Sequence, residues 1–398
     1  DMRNKIGSRI LGVFDLPTAQ FPDGTGSISA SVEAGSSNAP SSSTVLRDLS
    51  GVRLDLRGPS YDLVNTLATN ISAELDPNGN GASVTNQDSI IVVASYHDLV
   101  PGFAKGYFGT NELTYNDQRS RLSLFDSFVG GSLDLDQVTL RLRVENGIGM
   151  DLRVRLNSFQ AANTRTGSTV DLTHAILQGP INLNRATDLG TGFIPSLYLN
   201  VLDNSNSNVD AFVESMPDEV RYDLDISLNP LGNVSNGNDF LYYESKLRAG
   251  LELEVPLNVI ATGLTLESVE VPDLPGDAAH RTIVQGTLHL FATNGFPFDA
   301  TIVLDIVDQD RQVLSSIPVD GVIRSGVVAA DGLVHVPSSS TVHAPLSKEQ
   351  VGLLYDGNRL RTRVVFDTDP ALGHVRILDR YAMDLQFTVD GTYMVNGQ

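Results

Sequence analysis

Residues 76 to 87 read DPNGNGASVTNQ, the one stretch in which a known ligand spacing nearly closes. A calcium loop of the EF type uses oxygen ligands at positions 1, 3 and 5, glycine at 6 for a sharp turn, and a bidentate glutamate at 12. Asp76, Asn78, Asn80 and Gly81 meet the first requirements, but Gln87 stands where the glutamate belongs and Val84 offers no side-chain oxygen at position 9. A single carboxylate holds a hard divalent cation weakly. The same residues suit a β-hairpin tip, where Gly and Asn accept the left-handed backbone that a tight turn demands. The turn is the favoured reading, and calcium held by Asp76, Asn78, Asn80 and Gln87 is its alternative.

The remaining chemistry is dispersed. Seven histidines stand at 97, 174, 280, 289, 335, 343 and 374 with no HExxH motif and no helical i, i+4 pair, so no zinc set converges in sequence. His335 and His343 flank VPSSSTV and are placed to meet across a hairpin as two solvated strand residues. The chain has no G-x-S-x-G elbow, P-loop or dinucleotide fingerprint. Carboxylates are abundant, yet most fall on outward positions of alternating strands and no pair is set apart for acid–base work. A non-enzymatic protein without an organic cofactor is the expectation. YFGTNELTY (107–115) and FLYY (240–243) are the richest aromatic patches, and both read as strand or loop anchors. LDNSNSNVD (202–210) reads as a loop that caps a helix.

The elements around these residues are strands. Val138, Leu140, Leu142 and Val144 alternate with Thr139, Arg141 and Arg143, and Met150, Leu152, Val154 and Leu156 with Asp151, Arg153 and Arg155, which is the period of a half-buried strand. Asn146-Gly147 between them is a hairpin signal. Strands faced by Arg and strands faced by Asp or Glu predict charge pairing across a solvated sheet. The unit recurs. TLRLRVENGIGMDLRVRL (139–156) matches TLHLFATNGFPFDATIVL (287–304), VRYDLDISLNP (220–230) matches LRTRVVFDTDP (360–370), and KLRAGLELEV (246–255) matches RYAMDLQFTV (380–389). A short helix precedes the second strand pair of each, with a capping box at Ser347 and Gln350 in the later copy and Ser207 or Asn208 as cap in the earlier. Residues 52–75 suggest a third, diverged copy, with Asn65 in the place of Asn146 and Asn294.

The expected fold is therefore mainly β: tandem antiparallel β-sandwich or open-barrel modules, each with one short helix. The expected boundaries are 1–125, 126–272 for the central module and 273–398 for its homologue. Thirty-five glycines and 18 prolines fit such a turn-rich protein. Lys and Arg number 27 against 48 Asp and Glu, a formal charge of -21 that disfavours nucleic acid and anionic membranes as partners. No cysteine is present, so stability rests on packing. No apolar run is long enough to span a bilayer as a helix. An export signal, if the protein has one, lies outside these residues.

The repeated N-G-φ-x-φ-D before a strand, with a later loop of the LPLGN type and L-x-L-x-V-P-L at 251–257, resembles a loose group of β-rich, acidic, cysteine-poor exported proteins of Bacteroidota. It is also similar to the water-stress (LEA type 2) β-sandwich and to tubular lipid-binding modules. The resemblance implies an extracellular or cell-surface location and carries no site residues. A structural or adhesive surface protein follows, partnered by itself or by other surface proteins and completing its sheets by strand exchange. The regions around Ile10 to Leu16 and Leu385 to Val395 are the expected exchange strands. The alternative is a carrier of a lipid or other apolar ligand, on the strength of LELEVPLNVIATGLTL (251–266).

Overall fold

A computed structural model describes residues 1–274 and 283–393. Antiparallel strands make up most of it, among the described residues there are two α-helices and no closed barrel, and the chain divides into two units, Asp1–Val100 and Pro101–Gln398.

In the first unit β1 (Met2–Asn4) and β2 (Ile10–Asp15) are followed by β3 (Ser27–Val32), β4 (Ser41–Ser43), β5 (Asn70–Leu75) and β6 (Ile90–Val92). They form two small sheets, of order β4-β1-β6 and β3-β2-β5. Met2, Ile6, Ile10 and Val32 pack together between them.

The second unit holds further pairs of sheets. β7 (Asn111–Arg121), β8 (Phe128–Leu135), β9 (Thr139–Asn146), β10 (Leu152–Asn163) and β11 (Ser196–Asp203) lead into α1 (Val209–Glu214), then β12 (Glu219–Leu228) and β13 (Leu247–Glu254). One sheet has the order β11-β9-β13, the other contains β7-β12-β10. Next come β14 (Asn258–Glu270), β15 (Ile283–Asn294), β16 (Phe298–Val307), β17 (Ser338–Leu346), α2 (Lys348–Tyr355), β18 (Arg359–Thr368) and β19 (Met383–Tyr393). They give β17-β15-β19 and β8-β14-β18-β16. A first strand flanked by a middle and a last one therefore occurs three times: β1, β9 and β15.

Each of these central strands ends in a buried asparagine. Asn146 Nδ2 donates to the carbonyls of Met150 (3.3 Å) and Asn184 (2.8 Å), and its Oδ1 accepts the Ile148 N–H (2.9 Å). Asn294 makes the same bonds to Phe298 (2.8 Å), Arg324 (3.0 Å) and Phe296 (2.8 Å). Asn4 makes them to Ser8 (2.8 Å), Glu33 (2.9 Å) and Ile6 (2.8 Å). The position matched to Asn65 in the sequence is thus held by Asn4, while Asn65 is an exposed turn residue with φ of +51°.

The expected hairpin at Asn146-Gly147 is a crossover instead. β9 pairs with β11 and β13, whereas β10 pairs with β12, so the two strands belong to different sheets. A type I′ turn needs positive φ at both central residues, and neither Asn146 nor Gly147 adopts it. The asparagine amide instead stitches the corner by satisfying backbone groups that would otherwise be buried unpaired.

The helices behave as two different starts. α2 has its full capping box, with Ser347 Oγ accepting the Gln350 N–H and Gln350 Oε1 accepting that of Ser347. α1 begins after Asn208, whose side chain accepts from Thr173 N–H and donates to the Asp171 carbonyl rather than capping the helix. Among the described residues the first unit has no α-helix, so the short helix expected in each copy is present in two.

The predicted charge pairing is present, as in Arg141 to Glu254 at 2.6 Å across β9 and β13. The largest core joins Val138, Leu140, Leu202, Phe212 and Val220 to Val259, Ala261 and Leu264 of β14. At the β8–β14 seam, Gly131 and Gly263 both have positive φ, and a Cβ on Gly131 would lie 2.2 Å from the Gly263 carbonyl oxygen. That contact permits glycine alone.

Candidate functional site

The sheet edges distinguish the three sheet pairs. β12 carries β7 on its outer edge and β18 carries β14, both antiparallel. The equivalent strand in the first unit is β5, because Leu75 faces Ile10 as Leu228 faces Leu152 and Phe366 faces Ala300, each six residues past its asparagine. Among the described residues β5 pairs with β2 and with no other strand. Asp76 N–H bonds to the Arg9 carbonyl at 2.9 Å. Alternation along an antiparallel ladder then turns the N–H and C=O of Ile71, Ala73 and Leu75 toward the unpaired side. The side chains of Ile71 and Leu75 are 52% and 42% exposed.

A cleft of about 250 Å³ opens beside this edge, between the two sheets. Gly12, Phe14, Ile28, Val45, Leu49 and Ile71 are among its lining residues, so it is mostly apolar. In the second unit α1 fills the corresponding region with Val209, Phe212 and Val213, and α2 does so with Val351, Leu354 and Tyr355. The β4–β5 connection has loop in that place, with Leu46 91% exposed. Ile10 and Leu16 are buried in the unit's own cores, so the region from Ile10 to Leu16 is a central strand and not a free exchange strand. Val395, the end of the other expected exchange strand, lies outside the described residues.

The calcium-like loop folds as turns. Asp76 Oδ1 accepts the Asn78 N–H at 2.9 Å, Gly79 N–H bonds to the Asp76 carbonyl, and Asp76 Oδ2 lies 3.5 Å from Arg9 Nη1. Gln87 belongs to a separate turn, where its N–H bonds to Thr85 Oγ1 and its carbonyl accepts from Ser37. Asn80 is exposed. Among the described residues no cluster of three His, Asp or Glu side chains is arranged to hold a metal.

His343 meets His289 and not His335. Their Nδ1 atoms are 2.8 Å apart across β15 and β17, and His289 Nε2 lies 3.1 Å from Asp390. His335 bonds to Asp331 instead. His280 lies outside the described residues. Of the two aromatic patches, 240–243 supplies anchors, whereas Tyr107, Phe108 and Tyr115 of the other are exposed. Phe240 is buried, and Tyr242 sits against Phe103 and Phe193 with centroids at 4.8 and 5.6 Å while its hydroxyl bonds to Asp188. Sequence reading passed over one buried cluster. Asp305 accepts from Ser316, Arg361 and Arg363, and although burial pushes its carboxyl up, these three donors hold it below the ordinary value.

The apolar stretch at 251–266 divides between two environments. Leu251 and Leu253 remain half-exposed on β13, and Val259, Ala261 and Leu264 of β14 go into the core.

Fold and site together define a mainly-β protein of paired antiparallel sheets in which, among the described residues, β5 lacks the added strand that its equivalents β12 and β18 carry. No family model and no curated protein matches the chain. Among solved structures it is similar to a "putative secreted protein" from Parabacteroides distasonis ATCC 8503, with 14% identity, a TM-score of 0.32, and coverage of 73% of this chain and 91% of that one. No helix among the described residues is long and apolar enough to cross a membrane.

Proposed function

We propose that this is an exported or cell-surface structural protein, non-enzymatic, built from three tandem copies of one sandwich module and assembling with itself or other surface proteins through its sheet edges. The observation that carries the reading is the way its sheets grow. β7 is added to β12, β14 to β18, and β8 in turn to β14, each strand coming from outside the two-sheet plan. Addition of a strand to an exposed edge is also how β proteins join one another. The acidic, solvated surface suits a protein kept soluble outside a cell. The three buried asparagines at equivalent corners support the three-copy reading.

The test is the mass of the purified protein in solution across a concentration series. Self-assembly into a ladder of oligomers is expected, and a strict monomer that also fails to bind its source cells would overturn the reading.

A further inference from the structure

Two of three equivalent edges in this chain are covered, and the covering strands show what the third would take. Opposite Leu228 and Ile226 of β12 stand Asn111 and Leu113, and opposite Phe366 and Val364 of β18 stand Leu264 and Leu266. The matching β5 residues are Leu75 and Ala73, whose backbone groups point outward by the alternation already derived. All six residues of β5 are exposed, whereas β12 and β18 are largely half-buried beneath their covering strands. Beside β5 lies the apolar cleft, which lacks the helix that closes its counterparts.

We propose that the β5 edge, Asn70–Leu75, is an acceptor for one extended strand of a partner polypeptide, laid antiparallel as β14 lies on β18. The occupant is a segment of about six residues with apolar side chains at the positions facing Leu75 and Ala73, the chemistry of β14. Its backbone satisfies Ile71, Ala73 and Leu75, and its apolar side chains cover Phe14 and Ile71 at the cleft. A single unpaired row of backbone groups next to apolar surface gives both the affinity and the register of such a contact. The proposal deepens the strand-addition reading above and rests on it for the natural occupant.

The experiment uses the whole protein and a fluorescein-labelled synthetic peptide of residues 258–270, NVIATGLTLESVE. Saturable binding is expected, with slower hydrogen exchange at the amides of Ile71, Ala73 and Leu75. Ala73→Pro removes one of those N–H groups and is expected to weaken binding at least about tenfold. Ile71→Lys, which leaves the backbone intact, is expected to weaken it too, so a proline variant that unfolds does not end the test. Binding that survives Ile71→Lys, protection confined to other strands, or no binding at all would overturn the proposal. A cleft that takes dodecanoate and rejects the peptide would overturn it in favour of an apolar ligand. Peptide binding by a protein that stays monomeric would keep the acceptor edge and sink self-assembly, while oligomers formed without peptide binding would do the reverse.

Discussion

Asn146 and Asn294 make the same three hydrogen bonds at the same corner, each through Nδ2 to two carbonyls and through Oδ1 to the N–H two residues on. Both are almost wholly buried, at 1% and 0% exposure. Replacing either by alanine removes three buried hydrogen bonds, at a cost of about 2–4 kcal/mol, with Asn146 toward the lower end because the Asn184 carbonyl keeps the Ser196 hydroxyl. Aspartate is expected to be no better, because it cannot donate to the carbonyls. Urea unfolding of the two variants measures this, and a loss under about 0.5 kcal/mol would remove the corner as a stabilising element.

Asn4 occupies the corresponding corner of the first unit. Asn4→Ala is expected to lower the melting of residues 1–100 by about 2 kcal/mol or more while leaving the second unit unchanged. Asn65→Ala, at an exposed turn, is expected to move it by less than about 1 kcal/mol, through the strained φ alone. Hydrogen exchange resolved by segment separates the two units.

Asp305 is 2% exposed and holds Arg361 and Arg363 by contacts of 2.7 and 2.8 Å. Asp305→Ala strands two guanidinium groups whose Nε atoms already lack hydrogen-bond partners. The expected cost is about 2–3 kcal/mol, below the range for a wholly buried pair because the Arg361 and Arg363 side chains are 17% and 36% exposed. An isothermal denaturation series on the variant checks it.

Acid and base act through different carboxyls. The hydroxyl and N–H of Thr25, followed by Arg47, hold Asp23 down to about 2 from its ordinary 3.8. A depressed folded value gives stability that is present above 3.8 and lost as pH falls toward 2. The melting temperatures of the protein and of Asp23→Asn should converge over that window. Glu214 goes the other way, raised first by burial although it accepts the Leu135 N–H. Stability then declines as pH rises through its folded value, so Glu214→Gln is expected to gain on the wild type toward neutrality, by less than about 1 kcal/mol after solvent screening.

Millimolar calcium is expected to leave the melting temperature unchanged, and Asp76→Ala to cost less than about 1 kcal/mol, since Asp76 serves Asn78 and Arg9. A calcium-dependent rise in melting that disappears in Asp76→Ala would restore the loop as a metal site.

Strand periodicity and the two helices were legible because burial on one face imposes a period that the sequence must keep. Register was not. The structural equivalents are Leu228 with Phe366 and Leu247 with Met383, two residues away from the pairing that sequence matching suggests. A slip of two keeps every side chain on its face, so the pattern cannot detect it. The first copy was misplaced because Lys5 stands where Gly147 and Gly295 follow the other asparagines, which hides the motif at Asn4. The uncovered β5 edge was illegible for another reason: strand pairing is a long-range property, and Asn70–Leu75 carries no local mark of a missing neighbour.

Native mass spectrometry of the protein isolated gently from its source tests the central claim most directly, since it reports subunit number and retained ligand together. The account predicts a ladder of oligomers carrying no additional mass. A monomer with a discrete adduct of lipid size would contradict it and make the apolar cleft of the first unit a ligand pocket.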